Sequence, residues 1–254
     1  MNARYPQIYP AYCFNASPTY NTWVKVTAAD VHGLRVESGF EGQNIYFHLN
    51  HPIRYVRLVG PIVAIQEIAS KWIVLTLDDG SGATIEVQVA RLSDDDGANF
   101  IDFNSNTTVQ NLNVTRNFGL TKITIDSCLV DIGSVVKVKC TISEFRRVKR
   151  LDLKRVTLLN TTDEEATAWS ELVNFRKNVL SKPWMLSTPE LKKIEKGLEK
   201  ERRKEKEIQK KKAEYEQAKL AKKQKYAESL KRYEEKQERV RRKEEIIMNF
   251  GALI

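Results

Sequence analysis

The sequence predicts a mainly-β fold with helices, built around five short strands that close into a small barrel. Three observations predict it: runs of β-branched and aromatic residues of strand length, a glycine-rich turn between two of them, and helical periodicity confined to the carboxyl-terminal part of the chain. The strands are predicted at 55–70, 71–78, 83–90, 135–145 and 151–159. In the third strand Ile85, Val87 and Val89 alternate with polar residues, so one face is expected to be buried.

The connections between the strands indicate how the barrel closes. Asp78-Asp79-Gly80-Ser81-Gly82 has the chemistry of a hairpin turn, because glycine supplies the positive φ angles that such turns need. Gly60, inside the first strand, permits the sharp bend of a small closed barrel. Residues 93–121 are rich in Asp, Asn, Ser and Thr and are expected to be a surface insertion. Five short strands with a long third-to-fourth connection are typical of the OB-fold, which we predict over 51–160, with 1–50 wrapping around it.

Two helices are predicted after the barrel. Thr162-Asp163-Glu164-Glu165 fits a capping box, and Pro183 ends the helix that it begins. Apolar residues recur in this helix at helical spacing: Ala166, Trp169, Leu172, Val173, Val179 and Leu180. We therefore assign 161–188 to an interface helix and its linker. A long charged helix is predicted over 189–254; charged residues interrupt its seven-residue apolar series, which favours a solitary helix over a coiled coil.

Charge is distributed unevenly along the chain. The formal net charge is +9, and residues 190–248 carry 22 Lys and Arg against 14 Glu, a local net of +8. No nucleophile elbow, phosphate-binding glycine loop or histidine motif is present, so we predict a protein that is not an enzyme and needs no cofactor. Cys13, Cys128 and Cys140 lack metal-ligand spacing, so no metal site is predicted. Neither a secretory signal nor a long apolar run is found, which favours the nucleus or cytoplasm.

The most basic part of the predicted barrel is 137–155, with eight Lys and Arg against Glu144 and Asp152. Inward-facing residues alternate on the fourth strand, which places Lys137, Lys139 and Phe145 on its outer face. The basic residues of 146–150 fall on the last hairpin, a loop that OB-folds use to grip oligonucleotides. Single-strand binding needs such cations for phosphates and rings for bases. The predicted nucleic-acid-binding residues are Trp72, Lys137, Lys139, Phe145, Arg146, Arg147, Lys149 and Arg150.

Each of these features has a simpler explanation. Trp72 could only cap one end of the barrel, Phe145 could pack under its own loop, and the basic hairpin could merely increase solubility. The combination of cations and outward rings favours nucleic-acid binding over these alternatives.

The segment His51-Pro-Ile-Arg-Tyr-Val-Arg-Leu-Val-Gly-Pro-Ile-Val-Ala-Ile, followed by Ile73-Val-Leu-Thr-Leu-Asp-Asp-Gly-Ser-Gly-Ala-Thr-Ile-Glu, resembles the Stn subunit of the CST telomere-capping complex. The resemblance covers about residues 1–180. It implies a nuclear protein at the telomere that binds single-stranded telomeric DNA, limits telomerase and supports fill-in of the complementary strand. Phe145 corresponds to an aromatic residue that contacts DNA in relatives, whereas Ser143 replaces an arginine found in some of them.

The same resemblance implies partners. These are a small Ten-like OB-fold subunit, the large CST subunit and DNA polymerase α–primase. The residues expected to meet the Ten-like subunit are Trp169, Leu172, Val173 and Leu180. Many Stn proteins carry winged-helix domains after the OB-fold, and the charged helix stands in that place here, so functions of those domains are not carried over.

Two other functions remain open at the level of the sequence. The chain could be a general single-strand-binding subunit similar to the middle subunit of replication protein A. It could also be a scaffold protein whose barrel only dimerises and binds no DNA.

Overall fold

The computed structural model describes residues 6–69, 71–92, 105–117, 120–146 and 148–251. The chain divides between Ser187 and Thr188 into two compact units. Among the described residues, the first contains all the strands and the second is one helix. In the described ranges, no helix combines the length and the apolar character needed to cross a membrane.

Five strands of the first unit form a closed ring, in agreement with the predicted OB-fold. They are β4 (Tyr55–Ile68), β5 (Trp72–Asp78), β6 (Thr84–Ala90), β10 (Val135–Phe145) and β11 (Val148–Leu158). β4 pairs antiparallel with β5 and with β10, β5 with β6, and β10 with β11. The ring closes through a parallel pairing between β6 and β11, in which Leu151 lies opposite Val87. This strand order is that of an OB-fold barrel.

The barrel interior is filled by the alternating apolar residues of these strands. Ile85, Val87 and Val89 are buried, as their spacing predicts. Gly60 is needed for a different reason from the predicted bend: a Cβ at this position would run into the carbonyl oxygen of Asp78. The glycine thus lets β4 approach the end of β5 closely.

The connection between β6 and β10 contains a small sheet of its own, formed by β7 (Leu112–Asn117), β8 (Leu120–Ile125) and β9 (Cys128–Val130). Leu112, Val114, Ile123 and Ile125 are buried and belong to the barrel core. The prediction of a mere surface insertion over 93–121 is therefore wrong for its described part, because alternating apolar residues give this sheet one core-facing side. Residues 93–104 of that prediction lie outside the described residues.

The segment before β4 packs on the barrel through short elements: a 3₁₀ helix (Ala11–Ala16), β1 (Val24–Lys25), α1 (Ala28–Gly33), β2 (Tyr46–His48) and β3 (His51–Ile53). Phe14, Phe40 and Phe47 form a ring cluster with centroids 5.2 to 5.9 Å apart. β1 extends the sheet by pairing parallel with β4. Aromatic burial thus fastens a segment that has little regular structure.

The helix α2 (Thr162–Phe175) follows the barrel and continues into a π-helical turn (Arg176–Leu180). Its cap lies one residue before the predicted one: the Thr161 hydroxyl accepts from the backbone of Glu164, whose carboxylate accepts from the backbone of Asn160. The second unit is α3 (Thr188–Gly251), in which every described side chain from Glu199 onwards is exposed.

The linker after α2 is fastened to the barrel by a cluster of hydrogen bonds, here called the latch. The side chain of buried Asn50 donates to the carbonyl of Trp184 and accepts from its backbone N–H, both at 2.8 Å. His51 Nε2 bonds the Lys182 carbonyl at 2.7 Å, and Tyr9 accepts from the Leu186 N–H at 3.0 Å. Burial lowers the pKa of His51, so the neutral imidazole, which can donate this bond, is favoured.

Candidate nucleic-acid and partner interfaces

The tip of the β10–β11 hairpin exposes apolar and basic side chains together. Phe145 and Val148 lie opposite each other across the hairpin and are 52% and 53% exposed. Arg146 adopts a φ of 51°, a left-handed conformation that is uncommon outside glycine and allows this tight turn. Arg147, which the sequence also assigns to this surface, lies outside the described residues. We call Phe145, Arg146, Val148, Lys149 and Arg150 the hairpin tip.

Two guanidinium groups lie against the ring of Phe145. The Cζ atoms of Arg146 and Arg150 are 5.2 and 5.1 Å from its centroid. Arg150 is also ion-paired with Glu86 at 2.6 Å, whereas no carboxylate within the described residues pairs with Arg146. Of the two guanidinium groups beside the Phe145 ring, that of Arg150 is therefore the more firmly held.

Lys149 is less available than the sequence suggests. Its ammonium donates to the carbonyl of His32 at 2.9 Å, in the last turn of α1. His32 in turn bonds the Thr84 carbonyl at 2.9 Å. Lys149 thus ties the hairpin tip to α1 and β6, in addition to any contact with a ligand.

Lys137 and Lys139 lie towards the other end of β10. Their side chains project outwards, as predicted, while Val136, Val138 and Cys140 are buried. Phe145 is six positions after Lys139, which is roughly 20 Å along a strand. The predicted basic surface is therefore an extended row on the outside of β10.

Trp72 does not lie beside the hairpin tip. It starts β5, is 36% exposed, and pairs with Ile68 and Ala90. The hairpin tip instead meets β6 at Glu86, four residues or roughly 13 Å from Ala90. The expected proximity of Trp72 and Phe145 is wrong, because β11 runs parallel to β6 and brings the hairpin to the other end of that strand.

A second group of rings was not predicted. The Trp23 and Tyr55 centroids are 5.1 Å apart, and the Arg54 guanidinium lies 5.3 Å from the Tyr20 ring and 5.4 Å from the Tyr55 ring. Lys139 approaches Trp23, with Nζ 5.9 Å from its ring. Trp23 and Tyr20 come from the segment without periodicity, so only the tertiary structure shows that they adjoin the basic row.

An apolar groove lies between α2 and the end of the barrel. Trp169 and Val173 are 52% and 60% exposed. Together with half-buried Leu172 they face β4 and the β5–β6 hairpin. The groove measures about 640 Å³ and is lined by Thr27, Val59, Gly60, Pro61, Asp78, Asp79, Gly80, Glu165, Trp169, Leu172 and Val173. We call it the partner groove. Leu180, predicted at the same interface, is instead 2% exposed within the barrel core, because the π-helical turn directs it inwards.

A neighbouring face of α2 is held to the barrel by polar and charged contacts. Arg57, almost buried on β4, donates to the Ala168 carbonyl at 3.2 Å and forms an ion pair with Glu171. Lys25 also pairs with Glu171, at 3.2 Å. Hydrogen bonds from Arg57 and Lys25 lower the pKa of the Glu171 carboxyl. These contacts fix the rotation of α2, which leaves Trp169 and Val173 exposed beside the end of the barrel.

Across the described residues, no group of three His, Cys, Asp or Glu side chains is arranged to hold a metal ion.

The closed five-stranded ring with this strand order defines an OB-fold protein, and its basic hairpin and apolar groove are features of a binding module. Within this class the similarity is to the Stn proteins: the sequence model of the family described as "Telomere regulation protein Stn1" matches residues 38–110. Protein stn1 of Schizosaccharomyces pombe is 28% identical over 162 residues, which are 64% of this chain and 41% of that protein. The chain thus matches less than half the length of this relative.

Solved structures are similar in fold. A chain of the crystal structure of yeast Stn1 and Ten1 superposes on this protein with a TM-score of 0.51 and a sequence identity of 16%. The match covers 74% of this chain and 90% of that one. The S. pombe Stn1–Ten1 crystal structure is 24% identical, with a TM-score of 0.45 over 63% of this chain and 95% of that one. The resemblance to the Stn family indicated by the sequence motifs is confirmed by the family match and the fission-yeast relative.

Proposed function

We propose that this chain is a single-stranded-DNA-binding subunit of a nuclear telomere-capping complex, and that it acts by binding, without catalysis. The observation that carries the proposal is the hairpin tip. There two guanidinium groups approach an exposed ring on a loop that OB-folds use for oligonucleotides. The resemblance to telomere regulation proteins supports telomeric DNA as the ligand.

The partner groove supports a second part of the proposal, a small Ten-like OB-fold subunit seated on α2. An exposed Trp beside a concave apolar surface is typical of an interface centre. The yeast crystal structure holds Stn1 together with Ten1, which supports this kind of partner. Contacts with the large CST subunit and DNA polymerase α–primase, and roles in limiting telomerase and in fill-in, are proposed from the family resemblance alone.

The hairpin tip is tested by neutralising Arg146 and Arg150 together with Phe145→Ala. Binding of a single strand should weaken, and the slope of log affinity against log salt should become shallower by about 0.7 for each phosphate that is no longer bound. Fluorescence anisotropy of a labelled G-rich telomeric strand measures both. A matched variant, Lys177→Ala with Lys182→Ala, removes two exposed cations elsewhere and should leave the slope unchanged.

The same titrations separate the alternative functions. Equal affinity for a G-rich repeat and for a mixed-sequence strand would favour a general single-strand-binding subunit. If the chain, alone and with its partner, binds neither strand, the DNA-binding proposal is wrong and a scaffold function is favoured.

A further inference from the structure

A basic cleft lies on the outside of β10 and β11, at the end of the barrel away from the hairpin tip. It measures about 730 Å³ and is lined by Thr108, Val109, Gln110, Asn111, Lys137, Lys139, Lys154, Arg155, Val156 and Thr157. Four of these residues are cationic and none is acidic. We call this surface the β10–β11 cleft.

The strand pairing concentrates positive charge in the cleft. Lys139 and Arg155 lie directly opposite each other on neighbouring strands, an arrangement of like charges that destabilises a sheet. The register then shifts between Lys139 and Cys140, so that Lys154 is an extra residue on β11. This bulge turns Lys154 outwards next to Arg155, and both are exposed.

The cations of the cleft are not neutralised by ion pairs in the part of the chain that the structure describes. No carboxylate there pairs with any of the four, which are Lys137, Lys139, Lys154 and Arg155. The facing wall of the cleft is fixed, because the Asn111 amide donates to the Val156 carbonyl at 2.9 Å and to the carboxylate of Asp126, which is outside the lining, at 3.0 Å. A rigid concavity with four such cations is suited to a polyanion.

Aromatic rings adjoin the same cations. The ammonium of Lys139 lies 5.9 Å from the ring of half-exposed Trp23, which packs against Tyr55. Cations beside an available ring match a nucleotide, with its phosphate and flat base, better than they match an acidic peptide. Thr141 and Ser143 continue the outer row of β10 from Lys139 towards Phe145.

We propose that the β10–β11 cleft binds the phosphate backbone of a single-stranded nucleic acid, whose path continues from the hairpin tip along the outside of β10. Lys154 and Arg155 hold phosphates in the cleft, and Trp23 offers a ring to a base. This inference rests on the proposed function, because the strand must first engage the hairpin tip. A strand too short to span the roughly 20 Å between the two sites contacts the hairpin tip alone.

The test uses the full chain and unstructured DNA strands from about 4 to about 16 nucleotides, the range of site sizes of single OB-folds. Lys154→Ala with Arg155→Ala should make the salt slope for the longest strand shallower by about 1.4, at about 0.7 for each phosphate, and leave the shortest strand unaffected. Lys177→Ala with Lys182→Ala is the charge-matched control. Lys154→Gln with Arg155→Gln, which keeps more of the side-chain bulk, should reproduce the effect if the alanine variant folds poorly.

The outcomes distinguish the two proposals. If the wild-type chain binds long strands through the hairpin tip but the cleft variants bind like the control, the cleft inference is overturned while the proposed function stands. If the wild-type chain binds no strand, both fail. The cleft variants could also lose binding of a polyglutamate peptide while their binding of the DNA strands is unchanged. That result would make the cleft a protein-docking site and would overturn the inference. Photo-crosslinks from the long strand to peptides containing Trp23 or residues 154–155 would support it.

Discussion

Replacing Trp169 and Val173 by alanine should weaken binding of a Ten-like subunit about 300-fold. A tryptophan buries 150–250 Å² when enclosed, so the 52% of Trp169 that is exposed offers about 100 Å², or about 2.5 kcal/mol at about 25 cal/mol per Å². Val173, 60% exposed, adds about 1 kcal/mol. The sum of about 3.5 kcal/mol corresponds to about 2.5 decades in Kd.

Isothermal titration of the purified Ten-like subunit into the full chain measures this loss. The control is Leu129→Ala with Ile132→Ala, which removes two equally exposed apolar side chains, 62% and 63%, from outside the partner groove. It should bind like the wild type. Circular dichroism should show that both variants keep the native thermal midpoint, since neither removes buried side chains. Binding by the Trp169 and Val173 variant within threefold of the control would refute the assignment of the groove.

Three further predictions concern the stability of the first unit. Burial lowers the pKa of His51, so the unfolded chain binds a proton at this histidine more readily than the folded chain does. The stabilisation that depends on neutral His51 should therefore be complete above about pH 6.5 and decrease as the pH drops below it. Urea titrations should show a smaller loss of stability at low pH for His51→Asn than for the wild type. Gly60→Ala should lower the free energy of unfolding by about 1–3 kcal/mol, because the added Cβ would meet the Asp78 carbonyl. Gly33→Ala is the control and should not lower it, because the space around Gly33 is open. Equal denaturation midpoints for the two variants would contradict this prediction. Deletion of 200–254 should leave the melting temperature of the barrel unchanged in calorimetry, because every described side chain removed is exposed; a fall of many degrees would show that the helix supports the barrel.

The barrel could be predicted because its strands carry regular patterns. The bounds predicted for β10 agree with the structure, in which buried residues alternate with outward ones from Val136 to Ile142. The predicted start of β11 is three residues late. The charged Lys149 and Arg150 resemble loop residues in the sequence, although in the structure they pair with β10. Leu112 and Val114 fall in the predicted insertion because the polar residues around them mask their period of two.

The candidate sites were less accessible to sequence reasoning. The outward direction of Phe145 follows from the alternation of side chains along β10. The distance between Trp72 and Phe145 depends instead on which end of β6 lies next to the β10–β11 hairpin, and this is a property of the tertiary structure. Helical periodicity groups Leu180 with Trp169, although Leu180 is the last residue of a π-helical turn, which changes the direction of its side chain. Lys154 owes its position to a bulge, and alternation alone cannot anticipate an extra residue.

The latch gives the His-Pro-Ile motif a physical role and has a consequence for association. α2 is held along its length by Arg57, and the linker after its end is held by Asn50 and His51. A helix held at these two places is preorganised, so a partner that binds to it loses little conformational entropy in ordering the surface. Most of the contact energy then remains available as affinity, which allows a small apolar groove to support a stable heterodimer.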